Sequence, residues 1–143
     1  MKATVVGAGV FGASTARELA MRGWDVLALP SRDEGFGLVF LEAMAMGVPV
    51  VGTRVIGSED AVDDGVTGLL VPYADPSALT GAVRGILESP DLARRLRETA
   101  SERVRRVYSR EQCAARVEEL YRELLEIRAA GRAAPALQPV ARP

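Results

Sequence analysis

Glu34, followed at once by Gly35, Phe36 and Gly37 and eight residues later by Glu42, is the segment of this sequence best equipped to handle a ligand. The apolar run Val26–Leu29 ahead of it reads as a strand, so Glu34 falls on the loop at that strand's carboxyl end, where open α/β sheets bind ligands. Gly35 and Gly37 let an anion come close to the backbone, and the N–H groups that open the next helix would face it. Glu42 lies a turn or more into that helix, a separation suited to a pair of hydroxyls some way from the anion. A second group, Gly7, Gly9 and Gly12, has G-x-G-x-x-G spacing directly behind an apolar run and ahead of a helical pattern. There the first glycine permits a tight turn, the second lets a pyrophosphate reach the backbone, and the third lets helix and strand pack closely.

Other chemistries are excluded by composition. The chain has no histidine, which removes the commonest neutral-pH general base and the commonest zinc ligand together, so no metal site is expected. Cys113 is the single cysteine, so an internal disulfide and a cysteine metal cluster are both impossible, in keeping with a cytoplasmic setting. Eighteen basic residues stand against nineteen acidic ones, leaving a net charge of −1 and no electrostatic case for nucleic acid or an anionic membrane. No run approaches the roughly 18 apolar residues of a membrane span. A small-molecule ligand or another protein is the better partner.

These residues need elements to hold them. Ala3–Val6, Val26–Leu29, Pro49–Gly52 and Gly68–Val71 are short, continuously apolar runs, as in parallel strands covered on both faces. Helical patterns separate them at Phe11–Arg22, Gly37–Met46 and, for a turn or two, Ser58–Val62. Asp75-Pro76 and Ser89-Pro90 each set a capping side chain before a first-turn proline, and Ser109 with Gln112 has capping-box spacing. Three helices are therefore predicted near 76–87, 90–107 and 110–129. The alternation predicts a Rossmann-like α/β fold: a parallel sheet of about four strands, helices on both faces, and a helical C-terminal half. The strand order 2-1-3-4 is expected because it covers both faces and opens a switch-point crevice; the order 1-2-3-4 would put the crossover helices on one face and leave the other to the C-terminal helices or a second subunit. Residues 1–130 form one domain on this reading. The tail 131–143, with its prolines and few large apolar residues, is expected to be disordered. Trp24 is expected to pack between helix and sheet, Cys113 to be buried as a small apolar residue, and Arg94, Arg95, Arg103, Arg105 and Arg106 to form a solvated helix face.

Two families are resembled, and they meet inside one strand. "VVGAGVFGASTARELAMRGWDVLAL" resembles the first unit of FAD-dependent oxidoreductases of the amino-acid oxidase type, over about residues 1–30. In that family an acidic residue ends the second strand and holds the ribose; here the position is Pro30, which argues against FAD. "LPSRDEGFGLVFLEAMAMGVPVVGT", "DDGVTGLLVPYADPSAL" and "YSREQCAARVEELYRELL" resemble the donor-binding domain of retaining, nucleotide-sugar-dependent GT-B glycosyltransferases, over about residues 27–127. The chain thus reads as a chimera: a dinucleotide-type unit over 1–26, a seam at 26–30, and a glycosyltransferase-like half-domain over 27–130.

The second resemblance implies that Glu34 holds hydroxyls of a donor sugar, that Gly35, Phe36 and Gly37 line its phosphate, and that Glu42 holds the ribose. It implies a UDP- or GDP-sugar as ligand and requires no further cofactor. This sequence departs from the family at Ile56-Gly57, where two glycines are usual, and at Asp60, where a glutamate is usual. The diphosphate-gripping arginine and lysine belong to the half that residues 1–26 replace, and Lys2, Arg17 and Arg22 fall away from strand carboxyl ends. No acceptor-binding domain and no catalytic residue can be assigned. The expectation is weak nucleotide-sugar binding without complete transfer, together with self-association to a homodimer. The alternatives are a FAD- or NAD-binding fragment that uses Gly7, Gly9 and Gly12, and a hybrid scaffold with no ligand.

Overall fold

The computed structural model describes residues 25–130 and the backbone of residues 3–5. The helix expected at Phe11–Arg22, with Gly7, Gly9, Gly12 and Trp24, and the tail 131–143 lie outside the described residues. Four strands, β1 (Ala3–Val5), β2 (Val26–Leu29), β3 (Val50–Thr53) and β4 (Leu69–Val71), pair in parallel. Five described helices accompany them: α1 (Leu38–Ala45), α2 (Ile56–Ala61), α3 (Pro76–Glu88), α4 (Pro90–Val107) and α5 (Arg110–Ala129). Packing divides the chain between Val104 and Arg105, inside α4.

The strand order is β1-β2-β3-β4, not 2-1-3-4. Each strand lies beside the one before it, and successive crossovers of one hand in a growing sheet lay their helices on one face. The register shows how both faces are still covered. Ala28, Val51 and Leu69 are in line across the sheet, and Leu27 with Val50, and Gly52 with Leu70, alternate with them on the other side. The first set, with Val26 and Val71, packs under Ile86 of α3 and under Ala93 and Leu96 of α4. On the opposite face the ring of the fully buried Phe40, from α1, lies against Gly52 and beside Leu70. The result is the Rossmann-like parallel α/β sandwich, with every residue of β2 and β3 buried.

Local chemistry sets the helix ends. The Asp75 carboxylate accepts the Ala78 N–H at 2.8 Å, the Ser89 hydroxyl accepts that of Leu92 at 3.3 Å, and the Ser109 hydroxyl accepts that of Gln112 at 3.2 Å. The expected α3, α4 and α5 therefore begin where these caps place them. Strand β3 runs one residue later than its apolar run because Pro49 has no N–H to donate, although its carbonyl still accepts from Leu27 at 2.9 Å.

Two expectations fail in the C-terminal helices. Arg103 does not belong to a solvated face: it is 8% exposed and paired with Asp63, because position 103 shares a helical stripe with buried Ala93, Leu96 and Ala100. Cys113 is exposed, as is nearly all of α5, which has no buried residue. Val117, Leu120 and Tyr121 project from that helix with more than half of their surface free. No helix among the described residues is long and apolar enough to cross a membrane.

The outer edge of β4 is closed by side chains. Leu70 turns its N–H and C=O away from β3; the Asp64 carboxylate accepts the N–H at 2.9 Å and an Arg54 guanidinium nitrogen donates to the carbonyl at 3.3 Å. Asp64 and Arg54 are themselves joined at 2.6 Å, so the pair takes the place of a neighbouring strand. Burial alone would raise the Asp64 pKa, but the Leu70 N–H and the Arg54 guanidinium outweigh it and hold the pKa below the ordinary 3.8. A depressed carboxylate pKa contributes stability above the unfolded value, and that contribution is lost as pH falls through the folded one. Asp64→Asn should therefore melt below the parent at neutral pH. The gap should close as the pH is taken below 3.8, as read by thermal melts from pH 7 to 2.5.

Candidate functional site

Because β2–α1 and β3–α2 are successive crossovers, their loops emerge side by side at the carboxyl ends of β2 and β3. The first of them, residues 30–37, carries four of the five expected ligand residues, Glu34 to Gly37. It is anchored at Ser31, which is fully buried: its N–H donates to the Leu29 carbonyl at 3.0 Å, and its carbonyl accepts the hydroxyl of Thr53 at the end of β3. Behind the second loop, the first turn of α2 supplies Gly57, whose Cα lies against the Glu34–Gly35 peptide. A methyl group built there would fall onto the Glu34 carbonyl, 2.6 Å from its carbon and 2.8 Å from that of Gly35.

Gly37 ends the loop with a φ of 75° and stands as the N-cap of α1. No side chain other than glycine adopts that backbone at ease, and a Cβ there would also meet the Phe40 ring at 2.8 Å. Gly35 and Gly37 are expected to let an anion approach the backbone; in the structure their own N–H groups are engaged within the loop. Both donate to one oxygen of Glu34 itself, at 3.1 and 3.2 Å, and the other carboxylate oxygen lies 3.5 Å from the Ser31 hydroxyl. Glu34 is half-buried, while Gly35 and Phe36 are exposed.

Glu42 stands in the second turn of α1, half-buried between the buried Leu41 and Ala43. Its carboxylate makes no hydrogen bond or ion pair with any described residue. Thus the structure joins Glu34, Gly35 and Gly37 by direct bonds, sets Phe36 on the exposed turn between them, and leaves Glu42 separate on the following helix. An open pocket of about 270 Å³ also lies at the strand ends, lined by Pro30, Thr53, Val71, Tyr73 and Asp75 among others, but none of the five expected donor residues lines it.

Three residues at these strand ends were not singled out from sequence: Ser31 and Thr53, which anchor the loop, and Arg54. The signal for the first two was a polar residue closing an otherwise apolar strand. Arg54 shows that a cation does stand at a strand's carboxyl end, although Asp64 engages it at 2.6 Å and Glu59 lies 3.8 Å away.

The profile described as "Glycosyl transferases group 1" matches residues 5–89. The chain belongs to the group 1 glycosyl transferases. The match starts at residue 5, upstream of the expected seam at 26–30, and the likeness of residues 1–30 to FAD-dependent oxidoreductases gains no support from these comparisons. Among relatives of this group 1 glycosyl transferase chain is the D-inositol 3-phosphate glycosyltransferase of Corynebacterium urealyticum, 46% identical over 100 residues, which are 70% of this chain and 23% of that one. A sucrose-phosphate synthase structure from Thermosynechococcus elongatus has a TM-score of 0.69 at 40% identity, over 76% of this chain and 28% of the other. The Anabaena HepE structure in complex with UDP-glucose has a TM-score of 0.60 at 26% identity, over 69% and 29%. The chain spans about a quarter of the length of the curated relatives it matches.

Proposed function

We propose that this chain is a donor-binding part of a group 1 glycosyl transferase and takes a nucleotide-sugar, of UDP or GDP type, at the 30–37 loop and the start of α1. The observation that carries the reading is the convergence of the Gly35 and Gly37 N–H groups on a single oxygen position at the carboxyl end of β2. Two amides aimed at one point are suited to a phosphate oxygen, and the opening turn of α1 adds its partial positive charge there. Glu34 is the group that takes hydroxyls of the donor sugar, and Glu42, a half-buried carboxylate without a described partner, takes those of the ribose. A UDP-glucose complex of a relative supports the ligand class.

Binding by this chain alone is weak, since Arg54 is held by Asp64 and no free cation is assigned to the diphosphate. Complete transfer by this chain alone is not expected. Retaining transfer needs an acceptor held at the anomeric carbon and neutralisation of the leaving diphosphate, and none of the residues assigned above does either.

Glu42 provides the test. Glu42→Ala should weaken UDP-glucose binding by about tenfold, the loss of a hydrogen bond to a charged acceptor. The melting temperature should stay nearly unchanged, because Glu42 has no partner among the described residues to lose. Calorimetric titration of parent and variant reads the first, and a thermal melt reads the second. Equal affinities, or no binding by the parent, would overturn the assignment.

A further inference from the structure

The two amides that suit a donor phosphate are already occupied, and by the residue assigned to the donor sugar. Glu34 Oε1 accepts both Gly35 N–H at 3.1 Å and Gly37 N–H at 3.2 Å. A phosphate oxygen cannot take those donors while the carboxylate holds them, and two anions crowded at one spot repel each other. The carboxylate is held mainly from this one side. Its other oxygen has only the Ser31 hydroxyl at 3.5 Å, beyond the usual range for such a bond, and the half-buried side chain has a way out to solvent.

We propose that Glu34 is an internal competitor that makes the site discriminate between a nucleotide-sugar and a bare nucleoside diphosphate. This rests on the donor-binding reading and adds a specificity device to it. With the site empty, the carboxylate satisfies the two glycine amides. To admit a phosphate it must leave them, and an ionised carboxylate, which can only accept hydrogen bonds, then needs donors elsewhere. A sugar offers hydroxyls and makes the exchange even. At its phosphate end a diphosphate without its sugar offers only acceptors, so the displaced carboxylate exchanges two fixed amides for water alone. Once the sugar has left a bound donor, Glu34 returns to Gly35 and Gly37 and drives off the diphosphate that remains. The rigid surroundings support a movement confined to this one side chain: Ser31 is fixed by Thr53, and Gly57 lies directly behind the Glu34–Gly35 peptide.

The experiment is a titration of the parent chain, Glu34→Ala, Glu34→Gln and Asp33→Asn with inorganic pyrophosphate, UDP and UDP-glucose. Asp33 is a neighbouring carboxylate, 93% exposed, and controls for the change in net charge. Glu34→Ala should bind pyrophosphate and UDP about tenfold more tightly than the parent, while UDP-glucose gains less, so the preference for UDP-glucose over UDP shrinks. Asp33→Asn should shift all three ligands by less than about threefold, as exposed charges do. Glu34→Gln, which keeps a neutral acceptor for the two amides and so preserves the loop, should fall between parent and alanine variant.

Pyrophosphate bound no more tightly by Glu34→Ala and Glu34→Gln than by Asp33→Asn, or by none of the four proteins, would overturn the competitor role. An unchanged UDP-glucose to UDP ratio would do the same. Because pyrophosphate has no ribose and no sugar, this arm is independent of the Glu42 test, and the two readings can fail separately.

Discussion

Gly57→Ala is expected to be the most damaging single methyl group that can be added near the candidate site. The new Cβ would land on the carbonyl of Glu34 and within 2.8 Å of the Gly35 carbonyl carbon, and these are backbone atoms that cannot rotate aside. The loop before them is fixed at Ser31 by Thr53, and Gly37 behind them is fixed by Phe40 and Ala61, so the strain has nowhere to dissipate. Overpacking of this kind costs about 2–3 kcal/mol, which for a unit of this size lowers the melting temperature by roughly 10 °C or more. The substitution should also abolish nucleotide-sugar binding, because the amides of Gly35 and Gly37 would be displaced together. By contrast, Ile56→Ala, one residue earlier, should leave stability almost untouched, since that side chain is 78% exposed. A melt of both variants with a UDP-glucose titration checks the pair of outcomes. Similar stability for the two would show that α2 does not hold the loop as described.

The second large effect is expected at the opposite end of β4. The turn from Asp63 to Gly68 is docked on α4 by two bonds, the ion pair of Asp63 with Arg103 and the hydrogen bond from the Thr99 hydroxyl to the Val66 carbonyl. Arg103 is buried and Asp63 is about half exposed, so the two members are not equivalent. Asp63→Ala strips its carboxylate partner from a buried guanidinium and should cost about 2 kcal/mol, less than a fully buried pair because water reaches the Asp63 side. Arg103→Met keeps most of the buried stem and releases a carboxylate that water can solvate, and should cost about half as much. Denaturant melts of the two single variants test this asymmetry. If Arg103→Met proves the more harmful, the guanidinium contributes more than its bond to Asp63.

These cases show which parts of the molecule could be read from the sequence. Helix starts could, because a cap is a local matter: Asp75, Ser89 and Ser109 each bond an amide three residues on, and nothing distant competes. The parallel sandwich was also legible, since β2 and β3 must be covered on both faces to consist of buried residues alone. The strand order was not, because 2-1-3-4 and 1-2-3-4 have the same local pattern and differ in whether β3 is added beside β1 or beside β2.

Arg103 departs from expectation because position decides its burial over charge: its place in the stripe with Ala93, Leu96 and Ala100 is legible in the sequence. Cys113 departs from expectation for the converse reason: an apolar row on a helix need not be buried, and α5 leaves its row exposed. At the site, the loop and its glycines were legible. The inward turn of Glu34 was not, since a carboxylate followed by two glycines can serve a ligand or its own backbone equally well. Of the two glycines usual in the family at these positions, which open α2 here, the geometry requires only the one this chain retains, Gly57; Ile56 points to solvent and needs no room.

The sequential order of the strands also bears on how the chain is made. A nascent polypeptide emerges from its amino end, and here the sheet grows in the same direction, with β2, β3 and β4 each adding to the strand just completed. No described strand has to wait for a later one to be inserted beside it, and the loops to be closed between neighbours stay short, which favours rapid assembly. Such growth leaves one advancing edge open to mispairing at every stage. The segment that ends the growth arrives with its own stopper, because Asp64 precedes β4 by only a few residues and meets Arg54, already in place at the end of β3.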